Sequence, residues 1–180
     1  MRTDARSPDD AVEPAVRKPR LTIVSGLQGS GKSTVAQLIA RARGAEVLRT
    51  DVIRKEMFAA PEYDDAQRQR VYEEMFRLAR ERLERGGEVV LDATFEKRRN
   101  REQAAAVARA AGAEFEVFEV ACSEEETRKR LAARTGDPSD ATWDVYLQSR
   151  AAFEPLTEPR ITIDTSGTRA EVEAEVARLA

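Results

Sequence analysis

The residues whose types and spacing carry the clearest chemistry are Gly26, Leu27, Gln28, Gly29, Ser30, Gly31, Lys32, Ser33 and Thr34, directly after the apolar run Leu21–Ser25. Gly26, Gly31, Lys32 and Ser33 complete the pattern G-x-x-x-x-G-K-[ST]. Glycines let successive N–H groups turn into one hollow, with no Cβ to block an approaching phosphate. A helix starting at Lys32 adds free N–H groups and the positive end of its dipole. Lys32 then reaches the outer phosphates, and the Ser33 hydroxyl is placed to ligate Mg²⁺. With a strand-like run before the loop and a helical pattern after it, the segment reads as a nucleoside triphosphate cradle rather than a surface turn.

Three further stretches carry charge where such a cradle needs it. Asp51 stands at the end of the second strand-like run, and Arg54 follows one helical turn later. A carboxylate beside a cation suits phosphoryl transfer to a hydroxyl: the acid takes the proton and the cation holds the acceptor. Asp92 ends the apolar run Glu88–Leu91, the arrangement that holds Mg²⁺ through water, and Thr94 follows it. The basic run Lys97, Arg98, Arg99 and Arg101 then opens a helix, where positive charge is unfavourable unless an anion or solvent offsets it. Finally, Arg130 and Arg134 lie one turn apart, next to the break Thr135–Ser139. Two guanidiniums beside a glycine hinge suit a lid that neutralises transition-state charge and excludes water.

The elements that must position these groups alternate. Strands are expected at Leu21–Ser25, Glu46–Leu48, Glu88–Leu91, Phe115–Ala121 and Arg160–Ile163. Helices are expected at Lys32–Arg43, Val52–Phe58, Asp64–Arg85, Arg98–Ala111, Glu124–Arg134, Thr142–Phe153 and Arg169–Leu179. Tyr72, Phe76, Ala79 and Leu83 share one helical face. Gly44, Gly86-Gly87 and Gly112 stand at helix ends, and Ser123/Glu126 and Thr168/Glu171 have capping-box spacing. This alternation predicts an α/β fold, a mainly parallel sheet with helices on both faces. Residues 1–20, rich in charge and proline without apolar period, are expected to be a flexible tail, and 21–180 a single domain.

Bulk properties narrow the classes. With 180 residues, 41% apolar and 35% charged, the chain suits one folded domain with one core. A net charge of −3 and 6% aromatic residues argue against a nucleic-acid-wrapping or membrane-surface protein. One cysteine excludes an internal disulfide, and no apolar run reaches membrane-span length, so a cytoplasmic location is expected. The absence of histidine removes the commonest general base.

These residues resemble the small P-loop kinases of the zeta-toxin, polynucleotide 5′-kinase and gluconate-kinase type. The likeness rests on GLQGSGKST, the D-x-x-R of Asp51 and Arg54, VVLDATF, and the segment RLAARTGDPSDAT with YLQSRAAFEPL. It implies a P-loop NTPase three-layer sandwich: a five-stranded parallel sheet with the loop strand and the D-A-T strand adjacent at its centre, and a helical lid. It also implies ATP and Mg²⁺ as cofactors, Lys32 in catalysis, Asp51 as acceptor-activating base, Arg54 as acceptor-holding arginine, and Arg130 and Arg134 as lid arginines. Arg101 falls in a run similar to the K-R-R-Y-R of gluconate kinases, which contacts the acceptor there; Thr94 belongs to the same acceptor set. Phe95 replaces the asparagine of the polynucleotide kinases, and the lid lacks the histidine of the gluconate kinases.

The expectation is therefore transfer of the ATP γ-phosphoryl group to a hydroxyl of a small-molecule acceptor. A polynucleotide 5′-hydroxyl kinase and a nucleotide-dependent switch are the alternatives. ATP is expected over GTP because no N-K-x-D motif is present. No motif speaks to oligomeric state.

Overall fold

The computed structural model describes residues 18–60, 62, 64–133, 136 and 139–180. Five strands and seven helices alternate through them: β1 (Arg20–Ser25), α1 (Lys32–Arg43), β2 (Glu46–Arg49), α2 (Thr50–Met57), α3 (Asp65–Glu84), β3 (Glu88–Asp92), α4 (Arg98–Ala110), β4 (Glu114–Ala121), α5 (Glu124–Ala133), α6 (Trp143–Ala152), β5 (Ile161–Asp164) and α7 (Arg169–Leu179). β1 begins one residue before the expected domain start, because Arg20 pairs with Glu88 and Glu114. Residues 1–17 of the expected tail lie outside the described residues.

All strands are parallel, in the order β2-β3-β1-β4-β5. The loop strand is therefore central and hydrogen-bonded to the D-A-T strand, as expected. Strands buried on both faces read as near-continuous apolar runs, which is how Leu21–Val24 and Val89–Leu91 read. One face buries Leu21, Ile23 and Leu91 under Met75 and Leu83 of α3 and Val107 of α4. The other buries Val24, Phe118 and Val120 under Val35 and Ile39 of α1 and Val176 of α7. The result is a helix–sheet–helix sandwich.

The helix ends follow local chemistry. Gly44 closes α1 in the left-handed region at φ 70°. Thr168 and Glu171 form a reciprocal capping box on α7, and the Ser123 hydroxyl accepts from the Glu126 amide. No described helix is long and apolar enough to cross a membrane.

Register decides what meets at the carboxyl edge of the sheet. Val24 and Arg49 both stand opposite Asp92. The loop after β1 and the ends of β2 and β3 therefore share one edge. The strands after β1 go to opposite sides of it, and the crevice at such a switch point is where α/β sheets bind ligands.

Candidate active site

The loop between β1 and α1 curls as its glycines allow. Gly26 has φ 155°, and a Cβ there would lie 2.4 Å from the Val120 carbonyl oxygen. Gly31 has φ 85°, and its Cβ would meet an Arg130 nitrogen at 3.2 Å and the Thr165 hydroxyl at 3.3 Å. Gly26 is closed to other residues by backbone contact as well as conformation, whereas at Gly31 the left-handed backbone is the main bar and the neighbouring side chains would have to give slightly. The loop is pinned at its root, where the Ser25 hydroxyl (3.0 Å) and the Gly26 amide (3.3 Å) donate to the Thr94 carbonyl. Farther along, Gln28 Nε2 donates to Ser149 Oγ of α6 at 2.9 Å, and Lys32 Nζ donates to the Leu27 carbonyl at 2.8 Å.

Ser33 and Asp92 meet across the two central strands: Ser33 Oγ donates to Asp92 Oδ2 at 2.6 Å. Arg49 Nε reaches the same oxygen at 3.1 Å. Burial pushes the Asp92 carboxyl above its usual range, opposed by Lys32, the Ser33 hydrogen bond and Arg49, while the Asp51 charge adds to the rise.

A cleft of about 580 Å³ lies over this edge. Gly29, Gly31, Lys32, Ser33 and Thr34 of the loop and the start of α1 line it, together with Asp51 and Arg54 of α2. Thr94 and Arg130 also line it. Asp51 sits in the first turn of α2, which begins at Thr50, so the helix presents it and Arg54 three residues apart. Arg54 is 6% exposed, and its Nη1 reaches the Glu62 carbonyl at 3.4 Å.

One expected residue behaves differently. Arg101 is fully buried and is not among the cleft-lining residues. Its Nε, Nη1 and Nη2 donate, each at 2.9 Å, to Glu158 Oε1, the Phe95 carbonyl and the Pro155 carbonyl. It braces the loop after β3 instead of meeting an acceptor. Arg130 lies beside the loop, its Nε 3.0 Å from Glu126 Oε1 and its Nη1 donating to the Thr165 hydroxyl at 3.1 Å. That hydroxyl donates in turn to the Ser30 carbonyl at 2.6 Å. Arg134 lies outside the described residues.

The cleft contains groups that no motif announced, Arg49, Arg68, Tyr72 and Glu96, and it also takes in Gln148 and Ser149 of the segment YLQSRAAFEPL. Arg68 of α3 pairs with Glu96 at 3.2 Å. Glu96 follows Phe95, which is fully buried with a left-handed backbone, φ 51°. Its amide donates to the Tyr72 hydroxyl at 3.0 Å, and the two rings meet edge-on with centroids 5.4 Å apart. Holding a bulky residue there costs about 1–3 kcal/mol. Phe95 thus belongs to the core, and the loop's next side chain, Glu96, lines the cleft.

At the far rim, Lys55 of α2 pairs with Asp140 at 3.4 Å. The Arg128 guanidinium lies 4.3 Å from the ring centroid of Trp143, which stacks on Tyr146 at 4.6 Å. That stack joins α5 to α6.

With this geometry in view, comparison with known proteins is informative. A profile described as an AAA domain, AAA_33, matches residues 21–156. The chain belongs to this family. Its fold is that of a P-loop kinase-like nucleotide-binding domain. It is 31% identical over 162 residues to uncharacterized proteins of Mycobacterium bovis and Mycobacterium tuberculosis, covering 83% of this chain and 32% of theirs. The chain thus spans about a third of the length of those relatives.

Among solved structures, a sugar kinase from Janibacter sp. HTCC2649 superposes with a TM-score of 0.69 at 19% identity, covering 89% of this chain and 93% of that one. An APS kinase from Mycobacterium tuberculosis, in complex with AMPPNP and APS, gives 0.66 at 22% identity, covering 90% and 97%. These two likenesses establish the fold. A gluconokinase from Sinorhizobium meliloti 1021 gives 0.65 at 26% identity, covering 91% and 95%.

Proposed function

We propose that the protein is an ATP-dependent phosphotransferase that moves the γ-phosphoryl group to a hydroxyl of a small-molecule acceptor. We also assign the kinase domain to residues 20–180, one more than expected because β1 starts at Arg20, and the residues before it to a tail. The observation that carries the activity is that Asp51 and the glycine loop with Lys32 line one and the same cleft of about 580 Å³. A switch needs no carboxylate facing its phosphates; a kinase does.

In this reading the loop amides from Gly26 to Thr34 and Lys32 hold the triphosphate. The Asp51 carboxylate takes the proton of the acceptor hydroxyl as its oxygen attacks the γ-phosphorus. The β–γ bridging P–O bond breaks and ADP leaves. Arg54 and Thr94 orient the acceptor, and Arg130, steadied by Glu126 and Thr165, faces the loop with its positive charge. Arg134 is proposed as the second lid arginine. Positioning and charge stabilisation account for such catalysis without a covalent intermediate.

The donor set at the sheet edge fits Mg²⁺. Ser33 Oγ and Asp92 Oδ2 converge at 2.6 Å, and both are oxygens, which a hard cation prefers. Among the described residues no group of three or more His, Cys, Asp or Glu could form an all-protein cage. Mg²⁺ characteristically relies on a few protein oxygens plus phosphates and water. When bound, it supplies charge neutralisation on the phosphate oxygens.

Labelled ATP offered with sugars, nucleosides, aminoglycosides, nucleotide-sugars and 5′-hydroxyl oligonucleotides tests the reading. Transfer to a hydroxyl is expected, lost in Asp51→Ala while ATP still binds. Nucleotide hydrolysis without any transfer, indifferent to Asp51→Ala, would overturn it.

A further inference from the structure

Arg49, the last residue of β2, stands in register with Asp92, the last residue of β3. The sheet itself therefore brings the two side chains together at its carboxyl edge, beside Ser33. Arg49 Nε lies 3.1 Å from Asp92 Oδ2, the oxygen that also accepts from Ser33 Oγ. The N–H is not aligned on that oxygen, so the contact is one of charge. Side-chain exposure is 16% for Arg49 and 4% for Asp92, so water and salt screen the pair poorly. Lys32 also acts on the carboxylate, with its Nζ donating to the Leu27 carbonyl at 2.8 Å.

The guanidinium has two effects here. It offsets the cost of burying the Asp92 carboxylate. It also repels a second cation that approaches Oδ2, and between poorly hydrated charges such repulsion is strong. Groups that stand behind a metal ligand usually make it a better donor. A positive group does the reverse. The balance shifts when a triphosphate lies on the glycine loop, because Arg49 lines the same cleft as Lys32 and Ser33. The phosphate charges then outweigh one guanidinium and supply further oxygens to a hard cation.

We propose that Arg49 makes cation binding conditional on nucleotide. Its charge keeps Ser33 and Asp92 weak toward Mg²⁺ alone, so that the site takes Mg²⁺ together with the triphosphate and not ahead of it. Arg49 is thus a positioning residue that acts through Asp92. By the reciprocity of coupled binding, the same charge sets how far Mg²⁺ tightens the hold on nucleotide. The inference rests on the Mg²⁺ donor set of the phosphotransferase reading, is independent of the acceptor, and adds what governs the order of loading.

Mn²⁺, whose free ion is read directly by electron paramagnetic resonance, serves as the probe, at a pH of about 8 where carboxylates are ionised. Without nucleotide, Arg49→Gln should bind Mn²⁺ about 10- to 100-fold more tightly than wild type, the range over which such outer partners tune metal affinity. Arg49→Lys keeps the charge and should stay within a few-fold of wild type. Adding Asp92→Asn to Arg49→Gln should abolish the gain, and AMPPNP should narrow the gap between Arg49→Gln and wild type. Mg²⁺ alone should raise the Tm of Arg49→Gln and leave that of wild type nearly unchanged. Should Arg49→Gln fail to fold in EDTA, Mg²⁺ is expected to restore a cooperative melt, and failure to restore it overturns the inference. Unchanged or weaker Mn²⁺ binding by Arg49→Gln, or an equal gain in Arg49→Lys, overturns it too and leaves Arg49 as a tie between β2 and β3, with the phosphotransferase reading intact. Wild type that holds no Mn²⁺ even with AMPPNP overturns the cation site and the inference together.

Discussion

Ser33 Oγ donates to Asp92 Oδ2 at 2.6 Å, joining the first turn of α1 to the last residue of β3. The carboxylate is 4% exposed, and Arg49 reaches it from the end of the neighbouring strand β2. The start of α1 and the ends of β2 and β3 thus meet at one oxygen. If that point is where the cation sits, Ser33→Ala and Asp92→Asn should each raise the Mg²⁺ concentration for half-maximal transfer by about 10- to 100-fold. Nucleotide binding measured without Mg²⁺ should change much less; a Mg²⁺ titration of transfer beside calorimetry of binding separates the two effects.

Asp51 offers the sharpest kinetic test. Asp51→Asn keeps the shape of the side chain and removes the base, so kcat should fall about 10²- to 10⁴-fold. The dissociation constant for AMPPNP should stay within a few-fold. A loss confined to nucleotide affinity would mean that Asp51 serves the triphosphate and not the acceptor.

Gly26→Ala addresses the loop itself. The added methyl would stand 2.4 Å from a backbone oxygen, which cannot rotate away as a side chain does. A destabilisation of about 1–3 kcal/mol is expected, with weakened nucleotide binding. Thermal melts with and without AMPPNP measure both.

Arg101 should matter to folding rather than to the acceptor. Arg101→Ala removes the partner of Glu158 and strands the Phe95 and Pro155 carbonyls, costing about 3–5 kcal/mol. A normal Tm together with a raised acceptor KM would reverse that assignment.

Glu158 makes the same brace pH-dependent. Burial pushes its carboxyl up, but the Arg101 hydrogen bond and the Thr157 amide outweigh it and hold the group below the usual carboxylate range. A depressed folded value means that the stabilisation is complete above the ordinary carboxylate range and is lost as pH falls through the folded value. The Tm gap between wild type and Glu158→Gln should therefore be widest near neutrality and close on acidification. A gap that widens in acid would contradict the pairing.

Most of the framework was legible because it is written locally. The runs Leu21–Ser25 and Glu88–Leu91, the helix-ending glycines and the Thr168/Glu171 box each announce themselves within a few residues, and the strands and helices fall within one or two positions of expectation. The loop, Asp51, Arg54 and Asp92 were legible for the same reason, and they line one cleft. What stayed hidden depends on distant partners. Arg101 lies in a basic run that looks solvated or acceptor-directed, and only Pro155 and Glu158, more than fifty positions away, make it a buried brace. Tyr72 was readable as core by its helical face, but its hydroxyl's bond to Phe95 spans 23 positions. Arg68 and Glu96 form a pair across 28. Arg49 was left beyond the end of its strand, although β2 extends to it and directs it at Asp92.

The stack of Arg128, Trp143 and Tyr146 has a practical consequence. The indole is the chain's one tryptophan, and it sits where α6 begins, beside the rim of the cleft. Its emission therefore reports a single place, and displacing the guanidinium above it should change both intensity and wavelength. Rapid mixing with a nucleotide analogue can then time any rearrangement of that corner directly, with no dye attached.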